Sequence, residues 1–175
     1  MSDPANCPPF IISTMSVPEK CDSYPNSDEP LAYGRAIGRE AGLLKIGLHV
    51  CRVPPGHRVS WPHAEEKEEE FVYVLDGEVD AWIDGTLHRM KVGDLAAFPA
   101  GTGICHTFIN NSQREATLFV GGERDNPDNR IFYPLHPHRQ GERPAGTWWD
   151  DIPLRPQGSH DGKPDALHER ERPSK

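Results

Sequence analysis

The sequence predicts an all-β fold, a single barrel or sandwich carried between two extended arms, and three observations predict it. From Lys45 to Gly121 short runs of alternating apolar and polar residues are punctuated by glycine turns at regular spacing, the pattern of a β-sandwich or barrel. No long segment with a helical apolar period competes with these runs. Proline makes up 18 of the 175 residues and gathers at the two ends, in "DPANCPPF" and "PEKCDSYPNSDEP" before the runs and "RPQGSHDGKPDALHERERPSK" after them, a composition that disfavours packed regular structure. A chain of 175 residues holds one domain with a substantial core. The expected division is therefore an N-terminal arm over 1–44, a barrel core over 45–121, and a C-terminal arm over 122–175, its last ~15 residues flexible.

The elements follow in order. Ile46, Leu48 and Val50 lie on one face of the first run, which the "PPG" at 54–56 stops. Phe71–Leu75 and Val79–Ile83 are joined by Asp76-Gly77, and Thr86–Met90 follows across Asp84-Gly85. Both dipeptides are preferred two-residue hairpin turns, because both central positions take positive φ. The reading is a three-stranded meander. "KVGD" turns the chain into Leu95–Phe98, "PAGTG" breaks it, and Ile104–Ile109 and Ala116–Val120 supply two further strands. Gly34, Gly38 and Gly42 recur every fourth residue, but Arg35 and Arg39 between them exclude a membrane packing motif, so the segment reads as a flexible lead-in.

Charge limits the partners. Nineteen Lys and Arg against 27 Asp and Glu give a net charge of -8, which repels phosphate backbones and anionic lipid. No run approaches the ~20 apolar residues that span a bilayer, and no basic-then-apolar leader opens the chain; a soluble, cytoplasmic protein is expected. Cys7, Cys21, Cys51 and Cys105 lack a paired spacing and read as buried reduced thiols.

The residues that carry chemistry lie in "SWPHAEEKEEEFVYVLDGE". His63 and Glu65, two apart, leave the same face of a strand. Glu70 falls out of phase unless the polar stretch Glu66–Glu69 forms a turn, which would let Glu70 open an antiparallel strand facing the first. His106 opens a later strand. Imidazole nitrogen and carboxylate oxygen converging in this way suit zinc, iron or manganese. Glu66 to Glu69 are expected to be mostly solvated. Glu70 phases with Val72 and Val74, and His106 with Phe108, so a largely apolar cavity with a polar end is expected beside them. Tyr73 points outward by alternation, whereas Trp61 and Phe98 are candidates for the mouth or for core packing.

Two motifs in order resemble those of the cupin superfamily. "PPGHRVSWPHAEEKEEEFVYVLDGE" offers Gly56, His63, Glu65, Glu70 and Gly77, and "GDLAAFPAGTGICHTFIN" offers Gly93, Pro99, Gly101, His106 and Asn110, the loop before His106 being two residues longer than the family's. Where the family places a second histidine, this sequence has Glu65. The resemblance covers Lys45 to Gly121 and implies a double-stranded β-helix, or jelly-roll, barrel. It implies one divalent ion per chain, zinc, iron(II) or manganese. The ligands would be His63, Glu65, Glu70 and His106, or His63, Glu70 and His106 alone as a two-histidine, one-carboxylate triad.

The resemblance implies a metal-dependent enzyme acting on a small oxygenated molecule, of dioxygenase, isomerase, decarboxylase or lyase type, with Glu65 or Glu70 as the catalytic proton-transfer residue. The competing readings are a non-catalytic barrel that binds a sugar or other small molecule, and a structural one in which the metal is a staple or is absent. A homodimer is expected, since cupins pair edge strands or exchange arms. In the tail, at least one of Trp148 and Trp149 should dock on the barrel or on a partner subunit, and His136, His138, His160 and His168 read as surface histidines.

Overall fold

The structure is a computed structural model describing residues 8, 10–124 and 126–171. The strands are β1 (Lys20–Cys21), β2 (Tyr33–Arg35), β3 (Ile46–Val53), β4 (Ala64–Glu65), β5 (Glu70–Asp76), β6 (Glu78–Ile83), β7 (Thr86–Lys91), β8 (Leu95–Phe98), β9 (His106–Ile109), β10 (Ala116–Glu123) and β11 (Ile131–Phe132). Three short helices, α1 (Ile37–Glu40), α2 (Arg139–Glu142) and α3 (Asp165–Glu171), lie outside the strands. Among the described residues no helix is long and apolar enough to cross a membrane.

The strands form a six-stranded antiparallel sheet ordered β1-β2-β3-β10-β5-β8, a three-stranded sheet ordered β7-β6-β9, and the pair β11-β4. The two larger sheets close on each other as a double-stranded β-helix. Their facing residues, among them Val53, Val72, Val74, Val79, Ala81, Phe108 and Leu118, make one packed cluster. The fold is the all-β barrel that the alternation predicts.

One turn differs from expectation. Asp84-Gly85 is the hairpin turn predicted, with φ of 45° and 84°, and it pairs β6 with β7 from Glu78↔Lys91 to Ile83↔Thr86. At Asp76-Gly77 only the glycine has positive φ, 74°, and β5 pairs with β10 and β8 rather than with β6. There the chain crosses from one sheet to the other, so the three-stranded meander is replaced by a single hairpin. Gly77 is required at that corner, because a Cβ would lie 2.8 Å from the Glu115 carbonyl oxygen.

Among the described residues, parts of both end segments pack on the barrel. β1 and β2 extend the large sheet by pairing Cys21↔Tyr33 and Gly34↔Cys51. Gly38 is buried in α1, where a Cβ would lie 2.8 Å from the Leu48 backbone nitrogen, so the expected flexible lead-in is a close-packed segment. The C-terminal segment straps the outer face of the three-stranded sheet. Trp149 is 3% exposed and packs with Ala64, Trp82, Cys105 and Ile109, while Trp148 stacks beside Tyr133. Farther along, the Gly158 N–H donates to the Asp84 carbonyl, the Trp82 indole donates to the His160 carbonyl, and Arg155 donates to the Asp84 carboxylate. Nearer the end, Arg58 donates to the Gly162 carbonyl and the Asp165 N–H donates to Asn111. Cys51 and Cys105 are buried thiols as expected, whereas Cys21 is exposed because β1 is a sheet edge; Cys7 lies outside the described residues.

Candidate metal centre

His63, Glu70 and His106 meet at one end of the barrel. Their ligand atoms all lie within 4.8 Å of one another. Each arrives on a different part of the chain. Glu70 opens β5 and faces inward in phase with Val72 and Val74, His106 opens β9, and His63 is joined to His106 by an isolated antiparallel bridge just before β4. Sequence reasoning placed His63 and Glu70 on neighbouring paired strands. In the structure β4 pairs with β11 instead, and the bridge to β9 brings His63 to the cluster.

The orientation of both rings is fixed from behind. His63 Nδ1 is 2.8 Å from the Trp61 carbonyl oxygen and His106 Nδ1 is 3.2 Å from the Ile104 carbonyl oxygen. A carbonyl only accepts, so each ring carries its proton on Nδ1 and turns Nε2 toward Glu70. The Nε2 atoms of His106 and His63 lie 3.1 and 3.5 Å from the same oxygen, Glu70 Oε2. Phe98 stacks flat on His106 at 3.5 Å between centroids, and Tyr133 stands 5.8 Å from the His63 ring. Phe98 is thus a wall of the centre, whereas Trp61 is buried in a stack between Tyr24 and His136.

Charge in this cluster follows from its burial. Burial by itself would lower His63, but the Glu70 carboxylate outweighs it and holds the ring up at about 10. Burial likewise favours a neutral Glu70, yet hydrogen bonds from His106 and His63 keep its carboxyl well below the usual range. The centre calls for positive charge between the two imidazoles and the carboxylate, and either a proton or a metal ion can supply it.

Glu65 stands beside this group and not within it. Its carboxylate accepts from Asn129 Nδ2 at 3.1 Å. Burial first, then the Glu70 charge, push its carboxyl up to about 8, opposed in part by His63. Glu65, Glu68, Glu70, Phe98 and His106 border a cavity of about 10 Å3, the space of one water molecule or ion. Of the neighbouring carboxylates, Glu66 is held by Arg130 at 2.7 Å and Glu68 accepts from the Asn126 N–H, while Glu69 is exposed. Val72, Val74 and Phe108, expected to border a largely apolar cavity, are packed into the core.

Sequence reasoning did not find the supports of the centre. Arg58 is 1% exposed and pairs through two contacts with Glu29, which also accepts from the Trp61 indole at 2.9 Å. Tyr24, Tyr133 and His136 complete this wall. His136, expected at the surface, lies 3.8 Å from Trp61 in a parallel stack. The signal that could have found the wall is the concentration of Trp, Tyr and His at 24, 61, 133, 136 and 138 around one buried Arg-Glu pair.

The fold and the cluster together define a class: a jelly-roll barrel with a two-histidine, one-carboxylate group at one end. The chain belongs to the cupin superfamily. The model of the cupin domain matches residues 49–121. A crystal structure described as a sugar phosphate isomerase from a cupin superfamily, from Silicibacter pomeroyi, is 30% identical, with a TM-score of 0.65 over 70% of this chain and 80% of that one. The polyketide cyclase RemF from Streptomyces resistomycificus shares the fold at 20% identity and a TM-score of 0.58, over 78% of this chain and 95% of that one. A rhicadhesin receptor of Pisum sativum is 28% identical over 103 residues, which are 55% of this chain but only 46% of that protein.

Proposed function

We propose that this chain is a metal-dependent cupin enzyme acting on a small oxygenated substrate, with sugar-phosphate isomerisation as its reaction. His63, Glu70 and His106 would hold one divalent ion per chain, zinc, iron(II) or manganese by donor type. The observation that carries the reading is the orientation of the two imidazoles. Backbone carbonyls occupy both Nδ1 positions, so two Nε2 atoms and a carboxylate oxygen converge as donors on one point. An ion held by these three side chains would supply Lewis acidity to a carbonyl or hydroxyl oxygen of the substrate.

The protein's own part is proton handling and exclusion of water. Glu65 stands beside the three ligands, its carboxylate accepting from Asn129, and is the side chain placed to pass a proton to or from bound substrate. Phe98 and Tyr133 keep the imidazoles dry and in place. The isomerase assignment draws on the 30% identity to the Silicibacter pomeroyi protein, and the barrel core at residues 45–121 carries it. A binding barrel without turnover would take up the same sugars unchanged.

The test loads the purified protein separately with manganese, iron(II) and zinc and supplies a panel of aldose and ketose phosphates, with products read by carbon NMR. Interconversion by at least one metal form, lost in Glu70→Gln and slowed in Glu65→Gln with metal retained, is the expected result. Binding of the sugars with no interconversion under any metal would reject the enzyme.

A homodimer is part of the proposal. The outer face of the six-stranded sheet presents Tyr73, Leu75 and Leu95 at 36%, 45% and 59% exposure, and the register sets Tyr73 beside both Phe119 and Leu95. An apolar patch spread over adjacent strands suits burial against a second copy.

A further inference from the structure

A second and much larger cavity, about 530 Å3, opens at the end of the six-stranded sheet and reaches Glu70. It exists because side chains are missing where the barrel would otherwise be filled. The pairings Gly47↔Gly122 and Gly122↔Glu70 form one inward-facing row across β3, β10 and β5. Gly34 on β2 faces the same space. Gly122 allows the close approach of β5, since a Cβ there would lie 2.7 Å from the Glu69 carbonyl oxygen. Gly34 and Gly47 are different. A Cβ at either would meet nothing closer than 3.7 Å, so those two positions leave room that the backbone does not require.

The far wall is polar. His49 points inward two residues from Gly47 and beside Val120. Its ring is half-buried and makes no side-chain hydrogen bond among the described residues. Arg39, Arg124 and Asp22 line the same cavity, and burial together with the two guanidiniums lowers the His49 pKa against the pull of Asp22, leaving a neutral ring able to donate. Lys20, Glu40 and Glu123 also line the cavity. Glu123 accepts from the Glu69 N–H at 3.2 Å, and Glu70 is engaged by the imidazoles. From Glu70 to β3 the row spans two strand spacings, ~10 Å.

We propose that this cavity is the substrate pocket of the metal centre and that Arg39, His49 and Arg124 form its anion-holding end. The substrate would then carry a phosphate or carboxylate group on a carbon chain long enough to reach Glu70. Two guanidiniums and a neutral imidazole donor suit such an oxyanion, and the volume suits a small metabolite. The inference rests on the reading that the His63–Glu70–His106 group acts on a small substrate.

The experiment titrates metal-free, 15N-labelled full-length protein with inorganic phosphate and, separately, with acetate, following the Arg Nε and His ring resonances. Saturable shifts at Arg39, His49 and Arg124 are expected. Binding should weaken about tenfold in Arg39→Gln and in Arg124→Gln, the effect of one lost charge-assisted hydrogen bond. Gly34→Leu, which fills the cavity from a position with space for it, should abolish the response while leaving the fold and metal content unchanged. Tighter phosphate marks a phosphate monoester as the substrate group, and tighter acetate marks a carboxylate. No response to either anion, or wild-type binding by Gly34→Leu, overturns the pocket. Because the titration is done without metal, such a failure beside intact turnover removes this pocket and leaves the metal centre standing. Anion binding by a protein that takes up no metal would do the reverse.

Discussion

Glu29→Ala should damage stability and the metal centre together. Arg58 is 1% exposed, and its Nε and Nη2 each lie 2.6 Å from a Glu29 oxygen. With Glu29 removed, the guanidinium keeps only the Gly162 carbonyl, at 2.6 Å, and the Trp61 indole loses its acceptor. Breaking a buried pair from one side costs about 3–5 kcal/mol. At roughly 2–4 °C per kcal/mol for a chain of this length, the melting temperature should fall by about 10 °C. The Trp61 carbonyl holds His63 Nδ1, so metal affinity should fall as well, by roughly 10–100-fold as for other groups that orient a metal ligand. Thermal unfolding followed by circular dichroism, with and without added zinc, reads both effects. Replacing the pair together, Glu29→Leu with Arg58→Met, should recover most of the stability, because no buried charge is stranded. Arg114→Ala removes only an exposed pair with Asp76 and should stay within about 0.5 kcal/mol of wild type. A Glu29→Ala protein that melts within about 2 °C of wild type would refute the reasoning.

Three further outcomes are expected. Trp149→Ala empties a site packed by Trp82, Cys105 and Ile109 and should cost about 3–5 kcal/mol, read as a lower urea midpoint at unchanged slope. His136 is held neutral, its pKa lowered by burial and by Arg58 to about 4. Its unfolded value is ~6.5, so it contributes stability above that pH that is lost as pH falls toward 4. His136→Phe should therefore flatten the decline between pH 6.5 and 4 in urea midpoints, and an unchanged slope would argue against the assignment. Tyr73→Glu with Leu95→Glu should convert a dimer to a monomer in light scattering, whereas a wild-type protein that is already monomeric would remove the proposed interface.

The parts of the fold legible in the sequence are those written by alternation and by local turns. β5, β6, β7, β8 and β10 begin within a residue of where apolar alternation begins, and Asp84-Gly85 turns as its residue types require. Asp76-Gly77 misled because the same dipeptide serves a corner between sheets. What separates the two is a non-local contact, the approach of Ala116 to Gly77. Three of the four residues expected at the centre come together, and their inward phase was visible in the strand period. Glu65 was placed with them on its two-residue spacing from His63, but Asn129 and the pairing of β4 with β11 draw it aside. No local pattern announces β11, a two-residue strand. The cavity of about 530 Å3 escapes the sequence for a similar reason. Periodicity marks where side chains point, but only the cross-strand register shows that Gly47, Gly122 and Glu70 share a row.

The central claim is that His63, Glu70 and His106 hold one divalent ion. Elemental analysis of the purified wild-type protein, His106→Ala, Glu70→Ala and Glu68→Ala tests it most directly. The account predicts about one equivalent of metal in wild type and in Glu68→Ala, and a sharp fall in the other two, each of which loses one of only three protein ligands. Equal metal in all four proteins, or none in any, would contradict it.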